Sequence, residues 1–266
     1  MSIIKSLKKL LFVLAVIYLP MQSMAWGTQG HRICGQIASS YLTPKARKAI
    51  EAILGNESIA IASNWADFIK SDPDYSYLSP WHYIDFDKVY TYPEMIGYLN
   101  QDNNVDAYTK LQFLISELKR NNLSKENKLL YLRMLIHIAE DVHQPMHAAH
   151  AEDKGGNDIK VTWQGNPSNL HSVWDSGLIE FQQLGYTEYA MAINFTTTAQ
   201  RAQWQKEPIS QWIFESNQIA AKLYDEVKSG DTLNGYKYNF NHIAVVNRQL
   251  LKAGVRLAGV LNSIFG

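Results

Sequence analysis

Five residues between positions 137 and 175 have the types and spacing of a metal site: His137, Asp141, His147, His171 and Asp175. They lie in HIAEDVHQPMH (137–147) and, beyond a Gly-Gly-Asn turn at 155–157, in NLHSVWD (169–175). His137 and Asp141 are four residues apart, and so are His171 and Asp175. On a helix, positions i and i+4 share one face. Each pair can therefore aim an imidazole nitrogen and a carboxylate oxygen at one point. That donor set suits zinc, held at about 2.0–2.2 Å from each ligand atom. One such pair alone reads as a surface ion pair; two pairs with His147 between them read as a cluster.

The elements that must carry these residues are helical. Ser124 is placed to cap a helix running through LLYLRMLIHIAEDVH until Pro145. Its long apolar stretch implies burial on most sides, which puts His137 and Asp141 inside the protein. Buried charges need partners, and a metal ion is one. Pro145 breaks the helix and re-aims His147. Ser168 is expected to cap the helix that holds His171 and Asp175 and continues toward Leu184. Upstream, Thr43 and Pro44 start a helix that Gly55 and Asn56 stop after Leu54. Residues 57–70 read as helix with Asp67 inside, 72–80 as a Tyr-rich loop, and WHYIDF (81–86) as a short extended run. Residues 87–104 read as irregular or weakly helical, and 106–121 as an amphipathic helix. IKVTW (159–163) is strand-like within a loop. Residues 187–225 read as two helices broken near Pro208, and 241–265 as a long closing helix. The pattern predicts one all-α domain over 26–266, without repeats or a linker.

Residues 1–25 have the layout of a secretory signal: Lys5, Lys8 and Lys9, then the apolar run Leu10–Leu19, then small residues Ser23 and Ala25. Its removal leaves 22 basic against 25 acidic residues, a formal charge of −3. That balance excludes a protein holding long duplex DNA by charge alone. Phosphate affinity must come from something local, such as bound metal. Cys34 is the only cysteine, so the chain has no internal disulfide. Export with a single thiol suits a periplasmic or secreted enzyme. Cleavage after Ala25 makes Trp26 the new terminus, whose free amine and carbonyl can chelate one metal ion in a five-membered ring. His31 follows five residues on, across an expected Gly27/Gly30 turn.

Taken together, the motifs WGxxGH (26–31), WAD (65–67), WHYID (81–85), HxxxDxxQPxH (137–147), GGN (155–157) and NLHxxWD (169–175) resemble the single-strand-preferring zinc nucleases of the S-one/P-one family. Those are also nuclease/3′-nucleotidases and share a multi-helix fold with zinc-dependent phospholipase C. The resemblance spans the mature chain and implies three zinc ions. The first would be held by Asp67, His82, His137 and Asp141, and the second by His147, His171 and Asp175. The third would be held by the amine and carbonyl of Trp26, by His31, and by Asp141 as a bridge. It further implies cleavage of single-stranded DNA or RNA to 5′-phosphate products by metal-bound hydroxide in-line attack, and removal of 3′-phosphates from nucleotides. Asp67 would orient the attacking water. Lys70, where many relatives carry Arg, would offset charge on the phosphate as a point charge without a bidentate fork. Tyr83 would stack on a base, Asp85 would accept a hydrogen bond from a base edge, and Asn157 would meet substrate. The remaining histidines, His143, His150 and His242, match no ligand position.

Two rivals stand beside this reading. Phospholipase C places its first ligand His farther from the terminal Trp and ends its second pair in Glu, whereas Asp175 stands here. A zinc-binding export protein braced by metal would not leave a site with only three protein ligands, as the second site does. The expected protein is a monomer without stable membrane association after cleavage.

Overall fold

The helices begin where their caps are written. The computed structural model describes residues 26–266; the expected signal at 1–25 lies outside the described residues. Helix α1 (Thr28–Ser40) starts directly after Gly27, so Gly30 and His31 sit in its first turn and form no reversal of their own. Helix α2 (Pro44–Leu54) has Thr43 Oγ1 accepting from Ala46 N at 3.2 Å and ends at Gly55, whose φ is 67°. The 57–70 segment is broken into two single turns, Ile59–Ala62 and Trp65–Phe68. The break falls at Ser63 and Asn64, where the Ser63 carbonyl is taken by His137 Nδ1 at 2.5 Å. The Tyr-rich stretch is a 3₁₀ run, Pro73–His82, that includes Trp81 and His82; only 83–86 is extended. That strip lies along 147–151, with Ile84 N donating to His147 O (2.9 Å) and Phe86 N to Ala149 O (2.8 Å).

Helix α3 (Tyr92–Gln101) is a regular helix within the stretch expected to be irregular or weakly helical, started by a Thr91–Glu94 capping box. Helix α4 (Ala107–Leu118) is capped by Asp106. Helix α5 (Lys125–Asp141) is capped by Ser124, as expected, and stops four residues before Pro145. Strands β1 (Lys160–Trp163) and β2 (Asn166–Asn169) pair antiparallel. Strand β3 (Thr232–Leu233) adds to β1 in parallel. Asn169, not Ser168, caps the next helical segment, accepting from Ser172 N at 2.7 Å. That segment passes from α (Leu170–Ser172) through a π turn (Val173–Gly177) back to α (Leu178–Glu180). Helices α6 (Tyr186–Ile193), α7 (Thr198–Trp204) and α8 (Ile209–Glu226) occupy the region expected to hold two, with Pro208 as the N-cap of α8. Helix α9 (Gly235–Phe265) starts six residues before the expected point, capped by Asn234.

The fold is all-α with one small sheet, as expected. Its core has two apolar clusters. One is built on α2, α4 and α5 with Trp81, Ile84 and Phe86; the other joins α1, the Leu170–Ile179 segment, α8 and α9. Helices α1 and α9 cross closely. A Cβ on Gly254 would stand 2.6 Å from Ile37 Cβ and 2.7 Å from the Cys34 carbonyl, so only glycine allows this approach. The candidate ligands come from elements of both clusters. No described helix is long and apolar enough to cross a membrane.

Candidate metal centre

The α5 pair meets as its spacing requires: His137 Nε2 lies 3.1 Å from Asp141 Oδ2. His82, at the end of the 3₁₀ run, brings Nδ1 to 2.9 Å from His137 Nε2 and 3.0 Å from Asp141 Oδ2. Three acceptor-type atoms at mutual distances near 3 Å repel unless a cation or proton sits among them. Tetrahedral ligands at about 2.0–2.1 Å from a metal are about 3.3 Å apart, close to this spacing. The other oxygen of Asp141, Oδ1, lies 3.3 Å from His31 Nε2. One carboxylate thus faces two donor groups with two different oxygens, which is how a bridge between two cations is built. The His31 and His137 rings stack with centroids 4.0 Å apart.

Asp67 stands beside them. Its Oδ1 takes Lys70 Nζ at 2.6 Å and lies 3.7 Å from His137 Nε2; its Oδ2 lies 3.9 Å from His31 Nε2. The second group is separate: His171 Nε2 is 3.1 Å from Asp175 Oδ2, and His147 Nε2 is 3.9 Å from Asp175 Oδ1. The π turn does not spoil the i, i+4 contact of His171 and Asp175. Among the described residues three ligand-capable groups result: His82–His137–Asp141, His147–His171–Asp175 and His31–Asp67–His137. The last differs from the expected third set in grouping His31 with Asp67 and His137. Trp26 is fully buried. Its indole Nε1 donates to Glu140 O at 3.0 Å, and Gly27 N donates to Asp175 O at 2.9 Å. These bonds pin the chain between the end of α5 and the His171–Asp175 segment.

The residues fit metal ions on an observation independent of any motif. Buried atoms His31 Nε2, Asp67 Oδ2, His82 Nε2, Asp141 Oδ1, His147 Nε2 and Asp175 Oδ2 find no hydrogen-bond partner. Unsatisfied buried polar atoms are rare and costly, at about 1–3 kcal/mol each. Five of them, all but His82 Nε2, whose ring meets its group through Nδ1, belong to the donor groups, as cation sites require. The imidazoles are also oriented: Nδ1 of His137, His147 and His171 bonds to the carbonyls of Ser63 (2.5 Å), His82 (2.7 Å) and Gly155 (2.6 Å), freeing Nε2.

Electrostatics agree with this orientation. Burial holds His147 down to about 3 and His82 down to about 4, so their lone pairs stay free near neutral pH. Burial opposes ionisation of Asp67, but the charges of His137, Lys70 and His31 bring it to about 2. Burial works against His31 too, yet hydrogen bonds to Asp141 and Glu140 lift it to about 10. The carboxylates thus make a focus of negative potential that attracts protons or cations.

A pocket of about 260 Å³ opens over the cluster, lined by Lys70, Tyr83, Asp85, Asn157 and the rims of His82, His147 and His171. All expected substrate contacts reach it. Tyr83 is 40% exposed, as a stacking platform must be. Asn157 donates to Lys154 O at 2.8 Å, which shapes the turn. Lys154, in a left-handed conformation (φ 56°), lines the same pocket and carries no motif that would have revealed it. Gln144, whose amide donates to Asp175 Oδ1, is a second supporting residue that spacing alone did not single out. Of the spare histidines, His143 is buried and contacts Arg256 Nη1 at 3.0 Å, away from the donor groups. His242 contacts Glu226 at 3.2 Å, and His150 packs at a tilt against Tyr224.

Comparison with known proteins gives the same direction. The chain is 32% identical over 272 residues to Endonuclease 2 of Arabidopsis thaliana, covering 91% of each chain. It is 29% identical to Endonuclease 4 of the same plant, covering 91% of this chain and 90% of the other. It is 28% identical to Nuclease S1 of Aspergillus oryzae, covering 94% and 95%. The model of the family described as S1/P1 Nuclease matches residues 26–266, the whole described chain, and the donor groups lie inside that match. The chain belongs to the S1/P1 nuclease family, whose members act on phosphodiester bonds.

Proposed function

We propose that the chain matured to Trp26 is an exported, monomeric, zinc-dependent phosphodiesterase. It cleaves single-stranded DNA and RNA to 5′-phosphate products and removes 3′-phosphates from nucleotides. The observation that carries this reading is the set of buried, unpartnered ligand atoms beneath a pocket lined by Lys70, Tyr83, Asp85 and Asn157. Three zinc ions would be held by Asp67, His82, His137 and Asp141; by His147, His171 and Asp175; and by Trp26, His31 and Asp141. When bound, zinc supplies a water activated near neutral pH and polarisation of the phosphate oxygens.

The chain's own residues do the rest. Asp67, held ionised by His137 and Lys70, accepts a hydrogen bond from the attacking water and fixes its line of approach. Lys70, tethered to Asp67 at 2.6 Å, places a positive charge where the phosphate gains negative charge. Tyr83 offers a ring face to a base, and stacking needs a base free of its duplex neighbours. That requirement is the physical source of single-strand preference. Asp85 accepts a hydrogen bond from the edge of the stacked base, and Asn157 bounds the pocket from the Gly-Gly-Asn turn.

The test is hydrolysis of single-stranded DNA by protein beginning at Trp26, with chelated and zinc-restored controls. The expected result is chelator-sensitive cleavage leaving 5′-phosphates. Hydrolysis of phosphatidylcholine instead would assign the phospholipase reaction. A zinc-loaded protein inert on both substrates would leave the metals a bracing role.

A further inference from the structure

Glu140 is wholly buried, yet among the described residues its only charged or ionisable contact within ion-pair range is His31. Its Oε2 lies 2.6 Å from His31 Nδ1, and its Oε1 accepts from Ser63 Oγ at 3.0 Å. Its carbonyl accepts the Trp26 indole N–H at 3.0 Å. Glu140 thus holds, by side chain and by main chain, the two residues that belong to the third metal site alone.

The pattern of outer partners is uneven. His137, His147 and His171 give Nδ1 to neutral backbone carbonyls. His31 instead gives Nδ1 to Glu140, a carboxylate outside the three donor groups. With one proton on Nδ1 shared toward Glu140, Nε2 faces Asp141 Oδ1 at 3.3 Å and Asp67 Oδ2 at 3.9 Å. A nitrogen aimed at two carboxylate oxygens needs a proton or a metal ion between them. The charge count points the same way. Besides a shared Asp141, the third site has only neutral donors: an amine, a carbonyl and an imidazole. A buried carboxylate behind the imidazole restores the missing negative charge and makes the imidazole a stronger base. The cost of burying that charge is offset by the positive charge that a proton or a metal ion places on the far side of the ring.

We propose that Glu140 is the positioning residue of the third zinc site, fixing the His31 tautomer and supplying the charge that retains this ion. The inference rests on the three-zinc reading above. Glu140 touches neither substrate nor the reacting atoms.

Zinc affinities of wild type and Glu140→Gln, both beginning at Trp26, are measured by chelator competition, with melting of the metal-free proteins alongside. Gln keeps the shape and an acceptor oxygen but removes the charge. The expected result is a third-ion affinity weakened about 10–100-fold, the size typical of outer-sphere partners. The first two ions bind as in wild type, and cooperative melting of the metal-free proteins shows that both variants fold. Three unchanged affinities in E140Q would overturn the proposal while leaving the three-zinc reading intact. A wild type that binds fewer than three ions would overturn both. Should E140Q not fold, nitrogen-15 spectra of zinc-loaded wild type decide instead: the His31 proton must be on Nδ1, and a proton on Nε2 overturns the proposal.

Discussion

Gly155 ties the fold to the second donor group, and replacing it by alanine should injure both. Its φ is 61°, where a side chain costs about 1–2 kcal/mol. The new Cβ would stand 2.3 Å from the Met146 carbonyl oxygen, about 1 Å short of an ordinary carbon–oxygen contact. Both partners are backbone, so relief means moving the chain, at about 1–3 kcal/mol. Met146 adjoins His147, and the Gly155 carbonyl holds His171 Nδ1 at 2.6 Å. The displacement therefore falls on two ligands of one site. Gly165 is the control: its φ is 78°, and nothing lies within 4 Å of a Cβ there. Gly165→Ala should lose only the left-handed cost, about 1–2 kcal/mol. At about 2–4 °C per kcal/mol for a chain of this size, Gly155→Ala should melt about 2–12 °C below Gly165→Ala. Zinc titration should show its second-site affinity weakened about 10–100-fold, with Gly165→Ala as wild type. Equal melting temperatures and equal zinc affinities for the two variants would show that the Met146 contact constrains neither the fold nor the second donor group.

A protein carrying one extra residue before Trp26 has no free amine at that residue; it should bind two zinc ions by elemental analysis and lose most hydrolysis, and full activity would remove the amine from the ligand set. Tyr83→Ala should raise KM for single-stranded DNA about 5–150-fold, the worth of about 1–3 kcal/mol of stacking, with kcat nearly constant in steady-state kinetics. Away from the site, burial, then a hydrogen bond to Asp102, lifts Asp106 to about 7. A carboxyl raised above its unfolded value binds more protons when folded, so its stability contribution is present at low pH and is lost between about pH 4 and 7. Asp102→Asn keeps the Oδ1 acceptor used by Asn104 N at 3.0 Å and removes the opposing charge. It should leave melting at pH 4 unchanged and raise it at pH 8 by about 2–4 °C, about 1 kcal/mol after solvent screening.

Local chemistry made much of this legible. Thr43 and Ser124 cap the helices their positions announce, and the i, i+4 pairs on α5 and at 171–175 meet as helical geometry requires. The misses have more than one cause. Ser63 and Asn64 read as helical, but the Ser63 carbonyl is claimed by His137, a contact 74 residues away in sequence. Thr91 and Glu94 form a capping box whose signal was lost among Tyr and Gly residues that read as irregular. The π turn at 173–177 leaves no mark in composition, and β3 exists only because β1 offers it an edge. Glu140 lies outside the quoted ligand pattern, and its contact with His31 spans 109 residues of sequence.

The proposed hydrolysis needs three metal ions held by these donor groups. Zinc titration of metal-free protein beginning at Trp26, with single-stranded DNA cleavage read at each equivalent, should give negligible cleavage through the second equivalent, recovery on the third, and a plateau at three ions per chain. Full cleavage by the metal-free protein, or a plateau after one or two equivalents, is incompatible with a three-ion requirement.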